Sequence, residues 1–440
     1  MSHSDDKGLA AAGRKEPRDA FRAHTLSTSD AGRCAYRCAR TVGQWGRRTF
    51  GPQGSQAVSG SCPQRGSFGP SSQTCECPLA RSTSRHKLGY GADIHTVREL
   101  ANYWQNGFDW RAEEKRINRF HQFTTQIDGQ TIYFIHERSA RRSAIPLLLI
   151  HGWPGSILEF LSLIEPLTNP PDQKTPAFHV IIPALPGFGF SGPTTKSGWD
   201  TLRIAKAFAV LMDRLGYSRC GIQGGDWGST IARQMARVAP AQVIGIHLNF
   251  LPVPPPSLEA ISRMGEEEHR RFSAYWEHGR SAFFGLQSTE PQTIAYALND
   301  SPVGWLAWLT VKFQDLTDND GDFLHAIDRD TFLSNVTLCW VTNTVGSSMR
   351  IYREHKLSGG DEALAATNVP IAYAVFPKEV IAATEDWIDH KYNIVQRTEM
   401  PRGGHFAALE EPELLLKDVR AFFAKMELGG PADVPTSISH

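Results

Sequence analysis

The sequence predicts an α/β protein: a mostly parallel sheet with helices on both faces and a helical lid inserted into it. Three observations predict this. Apolar runs of strand length alternate with helical stretches along residues 131–250 and again along 370–428, the pattern of parallel strands linked by covering helices. Between these blocks, residues 251–369 carry few strand signals and many aromatic residues, as a lid would. The segment GIQGGDWGST, Gly221 to Thr230, has small residues two positions either side of an acid. That spacing suits a strand that turns sharply into a helix and presents one side chain at the bend.

Taken in chain order, residues 1–87 stand apart. They are frequent in Ser, Gly, Arg and Pro, lack apolar periodicity, and set 14 Lys/Arg against 6 Asp/Glu. Such a segment cannot bury enough apolar surface to offset its ordering entropy. The expectation is a disordered tail, or a stretch of wrongly predicted coding sequence. An organelle-targeting peptide is opposed by Asp5 and Asp6, since such peptides are poor in acids. Cys34, Cys38, Cys75 and Cys77 lack the surrounding strand and helix pattern of a zinc module. From about Tyr90 the pattern changes. Val97, Leu100, Ala101, Tyr103 and Trp104 recur at helical spacing, and Trp110 to Asn118 continues as a second short helix. Strands are then expected over Thr131 to Glu137, Pro146 to Ile150, Phe178 to Pro183, Arg219 to Gln223 and Val243 to Phe250. After the lid come Ile371 to Phe376 and Ile394 to Glu399, and residues 429–440 form a C-terminal tail.

Bulk composition narrows the function. Formal charge is zero, which argues against nucleic acid or an anionic membrane as the main partner, because such partners are matched by a basic excess. The best apolar run, Ile145 to Ile150, is far short of the roughly 18 to 20 residues that cross a bilayer. The N-terminus MSHSDDKGLAAAG lacks the apolar core of a secretory signal. A soluble, cytoplasmic protein is expected. Five of the seven cysteines lie in the first 77 residues, leaving Cys220 and Cys339 in the folded part, so a disulfide framework is not expected.

In an open parallel sheet, reactive groups collect at the carboxyl ends of strands. Four stretches meet that condition: His151-Gly-Trp-Pro-Gly-Ser156, Asp226, Phe376-Pro-Lys-Glu379 and Arg402-Gly-Gly-His405-Phe406. Their order, Asp, then acid, then His, matches the nucleophile, acid, histidine order of the α/β-hydrolase fold. Plainer roles exist for each. Asp226 could be a helix N-cap and His405 a loop histidine, although Gly403 and Gly404 before it suit a tight backbone approach. Glu379 competes with Glu385, Asp386 and Asp389, but it alone follows directly on the strand.

HGWPGS, PALPGFGFS at Pro183 to Ser191, GGDWGS, ALNDSPVG at Ala297 to Gly304, and RGGHFAALEEPELL at Arg402 to Leu415 together resemble the microsomal-type epoxide hydrolases. This is a branch of the α/β-hydrolase superfamily, and the likeness runs from about Gly89 to Leu428. It implies an α/β-hydrolase core in two parts, 131–250 and 370–428, a cap at 251–369, and residues 88–130 as the remnant of an N-terminal arm that normally wraps the lid. It also implies the chemistry. A free carboxylate, with an ordinary pKa near 3.9, is ionised at neutral pH, so Asp226 could attack an epoxide carbon without an activating base. The product would be an ester, which water can cleave at its carbonyl. By the same resemblance His405 is the general base on that water, Glu379 fixes its tautomer, and the backbone N–H groups of Trp153 and Trp227 form the oxyanion site.

The family meets the alkoxide of ring opening with two lid tyrosines. Tyr352 falls where one is expected. Phe283 stands at the other position, and a phenyl ring cannot donate; Tyr275 and Tyr296 are the nearby substitutes. Trp305 and Trp308 are expected as lid core or pocket wall. Neither cofactor nor metal is implied, and the partners are a small-molecule lipophilic epoxide and water. Two alternatives stay open: a haloalkane dehalogenase-like enzyme, which also uses Asp, His and an acid, and an inactive ligand-binding member. A serine esterase is disfavoured because no Gly-x-Ser-x-Gly string sits at a strand end.

Overall fold

A computed structural model describes residues 22–23 and 91–426, apart from 254–256, 267–268, 271, 274–281, 361–365, 381–387 and 389–390. Its centre is a sheet in the order β1-β2-β3-β5-β4-β6-β7-β8-β9. The strands are β1 (Arg22–Ala23), β2 (Gln122–Ile127), β3 (Gln130–Glu137), β4 (Ile145–Ile150), β5 (Phe178–Pro183), β6 (Cys220–Gly224), β7 (Val243–Leu248), β8 (Thr367–Val375) and β9 (Tyr392–Glu399). Pairing is parallel from β5 through β9 and antiparallel at the β1, β2, β3 end. The chain runs from β4 outward to β5 on one side and returns to β6 on the other. Their carboxyl ends therefore form the switch point at which open α/β sheets bind ligands.

The parallel strands are apolar runs because both faces are covered. Every residue of β4, Ile-Pro-Leu-Leu-Leu-Ile, is buried. Alternation along that strand sends Leu148 and Ile150 to one core and Leu147 and Leu149 to the other. The first core is closed by helices α4 (Thr201–Arg214) and α5 (Asp226–Val238), the second by α3 (Leu161–Thr168) and α12 (Pro412–Met426).

β3 matches the strand expected over Thr131 to Glu137, whereas β2, the other half of its hairpin, lies outside the strands expected from apolar runs. Its signal was the turn Asp128-Gly129, whose φ values of 52° and 75° give the two-residue loop that joins twisted antiparallel strands. Arg22 and Ala23, in the segment read as a tail, pair with β2 at the sheet edge. The four cysteines of that segment lie outside the described residues, as do 429–440.

Between β7 and β8 the lid is helical: α6 (Leu258–Ser262), α7 (Ala282–Thr289), α8 (Pro291–Asp300), α9 (Pro302–Leu316), α10 (Arg329–Val341) and α11 (Val345–Leu357). Two helices, α1 (Ile94–Asn106) and α2 (Trp110–Ile117), precede β2 within the segment expected to form the arm. The indole N–H of Trp104 on α1 donates to Thr337 Oγ1 at 2.8 Å, and its ring meets Trp340 edge-on at 6.4 Å. Helix α1 is thereby pinned to α10. Among the described residues no helix is long and apolar enough to cross a membrane.

Candidate active site

β6 ends at Gly224, Gly225 caps the next helix, and Asp226 opens α5 at φ 46°. That left-handed conformation costs an ordinary L residue roughly 1–2 kcal/mol, and Asp tolerates it better than most. The turn depends on glycine at close approaches. A Cβ on Gly228 would run into the Ile150 carbonyl, and one on Gly152 into the Asp226 carboxylate. One acid is thus pushed out at the switch point, where the Trp153 N–H donates to its Oδ1 at 2.7 Å. The loop that supplies this donor is itself held: Leu185 N–H donates to His151 Nε2 at 3.2 Å, leaving Nδ1–H for the Gly152 carbonyl at 3.0 Å. Burial pushes the His151 imidazole down to about 4, so it stays neutral. From the lid, Asn335 Nδ2 donates to the Pro154 carbonyl at 2.7 Å.

Glu379 follows β8 and His405 follows β9, and the two meet. His405 Nδ1 is 2.8 Å from Glu379 Oε1 and 3.0 Å from Oε2, while Nε2 is 3.4 Å from Asp226 Oδ2. Both side chains are buried, Glu379 with 1% of its surface exposed. Burial alone would disfavour the imidazolium; the charge of Glu379 and the hydrogen bonds to Asp226 and Glu379 outweigh it and hold the His405 pKa well above the ordinary value. Of the acids that competed with Glu379 on sequence, Glu385, Asp386 and Asp389 lie outside the described residues.

The histidine loop is fastened to the end of α9. His405 N–H donates to the Leu316 carbonyl at 2.9 Å and Gly403 N–H to Asp318 Oδ2 at 2.8 Å. Glu410 then ties the two segments by accepting from Phe406 N–H at 2.8 Å and Asp318 N–H at 2.7 Å. Burial of this carboxyl pushes it up to about 7.

Above the corner lies an aromatic cage. The ring of Tyr352, on α11, is 4.8 Å from Trp227, 5.6 Å from Trp153, 5.2 Å from Phe284 and 6.1 Å from Phe283. Phe283 stacks on Trp153 at 5.4 Å. Trp305 is not brought into this group. It is fully buried in the lid, where its N–H donates to the Val336 carbonyl at 3.2 Å. Trp308 is partly buried beside Lys312, whose Nζ is 5.6 Å from its ring. Tyr296 is 71% exposed on α8, which removes it as a stand-in for the hydroxyl missing at Phe283; Tyr275 lies outside the described residues.

Comparison with known proteins gives this corner a family. The family model described as "Epoxide hydrolase N terminus" matches residues 72–160, starting inside the segment read as a tail, and that of the "alpha/beta hydrolase fold" matches 145–267. A putative epoxide hydrolase from Stigmatella aurantiaca is 44% identical over 342 residues, 76% of this chain and 77% of the relative. Epoxide hydrolase 1 of Sus scrofa is 36% identical over 374 residues, 78% of this chain and 82% of its own. The chain belongs to the epoxide hydrolase family. Among solved structures, an enantioselective mutant of the epoxide hydrolase from Aspergillus niger superposes with a TM-score of 0.75 at 28% identity, over 93% of this chain and 98% of that one.

For this epoxide hydrolase, sequence reasoning had passed over three residues of the corner. Phe284 completes the cage one position after the recognised Phe283. Asn249, just past the end of β7, accepts from Gln223 Nε2 at 2.8 Å and donates to the His405 carbonyl at 3.4 Å. Its signal was its place at a strand's carboxyl end. Glu410 was visible in the motif Arg402 to Leu415, but its two backbone partners are set only by tertiary packing.

Proposed function

We propose that this epoxide hydrolase opens a lipophilic epoxide through a covalent ester on Asp226 and releases the diol with water activated by His405. The observation that carries the reading is the bridging position of His405, 3.4 Å from Asp226 Oδ2 and 2.8 Å from Glu379 Oε1. Asp226 Oδ1, held by the Trp153 N–H at 2.7 Å, becomes the ester carbonyl oxygen. Oδ2 attacks the epoxide carbon, the C–O bond of the ring breaks, and the alkoxide takes the phenolic proton of Tyr352. The tyrosinate recovers a proton from the His405 imidazolium through solvent. Conversion of Asp226 to a neutral ester removes one of the influences that held that proton, so the histidine becomes a base only after ring opening.

Neutral His405 then takes a proton from water, hydroxide adds to the ester carbonyl, and the bond from carbon to Oδ2 breaks. The leaving oxygen takes the proton from His405, and the acid left on Asp226 passes its own to His405, restoring the starting state. Negative charge on the tetrahedral carbon's oxygen is met by the Trp153 N–H and, by its place in the first turn of α5, the Trp227 N–H. The rings of Trp153, Phe283 and Phe284 favour an apolar epoxide. With Phe283 in place of a second donor, ring opening rests on Tyr352.

The test is a single turnover in heavy-oxygen water with protein in excess over an aryl epoxide. The ester route yields diol carrying unlabelled oxygen from Asp226. Diol labelled in that first turnover means that water attacks the epoxide directly, and overturns the reading.

A further inference from the structure

Beside Asp226 lies a cavity of about 10 Å³ whose lining includes Trp153, Glu159, Asp226, Asn249 and His405. That is the space one water molecule needs. Among the described residues its lining comes from the strand-end loops and the segments that follow them, and includes no lid residue.

Glu159 is the member of this set that the mechanism above does not use. It sits in a short 3-10 turn, Ile157–Phe160, directly after the His151 to Ser156 loop. Its carboxyl curls back over Gly155, where a Cβ would collide with Oε1. Only glycine at 155 permits that pose. Its carboxyl has the Ser156 backbone N–H as a partner and shares the cavity lining with Asp226 and His405. Burial pushes it up to about 8, with the charge of Asp226 adding to the effect and that of His405 opposing it. At neutral pH it is a neutral acid, and its C=O can accept a proton of water without adding charge to the corner.

We propose that Glu159 is a positioning residue for the hydrolytic water, accepting the non-reacting proton of a molecule whose other proton goes to His405 Nε2. Gly155 is the residue that makes room for it. This rests on the covalent reading above, because only an ester on Asp226 needs such a water. Glu159 takes no net proton; the bonds made and broken are those of ester hydrolysis already described.

The test separates the two half-reactions. Wild type, Glu159→Ala, Glu159→Gln and Gly155→Ala are mixed with an aryl epoxide, and the ester is followed by quenched-flow mass measurement of the protein. In Gly155→Ala the collision is with the free end of a flexible side chain, so the fold is kept while the carboxyl is displaced. Expected are ester formation within a few-fold of wild type and ester hydrolysis slower by about 10- to 100-fold in both alanine variants, the usual cost of losing an orienting partner. Ester would then accumulate. Glu159→Gln keeps a carbonyl acceptor and loses less than Glu159→Ala. Hydrolysis at the wild-type rate in both alanine variants, or parallel slowing of both half-reactions, overturns the proposal. Absence of ester from wild type and variants alike, with solvent oxygen in first-turnover diol, overturns the covalent reading and this proposal with it.

Discussion

At the carboxyl edge of the sheet, Asp226, His405 and Glu379 are each held by hydrogen bonds to backbone or to one another, whereas the lid meets them with ring faces held by packing. Asp226 has the Trp153 N–H, and His405 has Glu379 on one nitrogen and Asp226 near the other. Across from them, Phe283, Phe284 and Tyr352 are fixed by contacts with Trp153 and Trp227. The difference is one of precision. Buried charges need partners at hydrogen-bond distance, since an unpaired one is costly, while an apolar wall tolerates exchange of one ring for another. In the proposed mechanism the covalent steps are therefore tied to the edge, and the lid, apart from the Tyr352 hydroxyl, is the region in which rate and substrate choice can drift.

The comparison can be broken at four points, from the largest effect to the smallest. Asp226→Ala should remove turnover by about 10⁴-fold or more, as loss of a covalent nucleophile does, and single-turnover mass measurement should find no ester. Persistent ester in that variant would move the nucleophile elsewhere. Tyr352→Phe should slow ring opening by about 10²- to 10³-fold, the loss of one donor to a developing oxyanion. Because ester hydrolysis does not use that hydroxyl, its rate should hold, and equal slowing of both steps would assign the residue to structure instead.

Phe283→Tyr probes the lid from the other direction. A second phenol should raise the rate of ring opening, by about ten-fold if the hydroxyl reaches the alkoxide, which stopped-flow tryptophan fluorescence would report. An unchanged or lower rate means that the Phe283 site does not face the reacting oxygen. Least in size is Trp104→Phe, which deletes the hydrogen bond to Thr337. It should cost about 1 kcal/mol in urea unfolding with little change in ester hydrolysis; a selective loss of hydrolysis would couple the arm to the edge instead of the lid.

Much of the edge was legible because local backbone chemistry marks it. A strand that turns sharply into a helix needs small residues around the bend, so Gly224, Gly225 and Gly228 announce Asp226, and Gly403 and Gly404 announce His405. The hairpin at Asp128-Gly129 was equally local, yet its first strand, Gln-Phe-Thr-Thr-Gln-Ile, is polar at alternate positions and so escapes a search for continuous apolar runs. The lid was less legible. Trp305 and Phe283 are both large aromatic residues in helices, and nothing in their spacing says that one is buried within the lid while the other faces Trp153.

Glu159 and Glu410 mark the boundary most sharply. Each is an ordinary acid in the sequence, and each has a raised pKa only because elements distant in the chain enclose it. Residue order and glycine placement were sufficient for the fold class and for placing Asp226, Glu379 and His405 in that order at strand ends, since both follow from periodicity and from backbone conformations that few residues adopt. The distances from His405 to Asp226 and Glu379, the cage around Tyr352 and the small cavity beside Asp226 were decided by packing alone. They join β4, β6, β8, β9 and the lid, and the separation of charge from water that gives those groups their chemistry exists only once these elements have closed on one another.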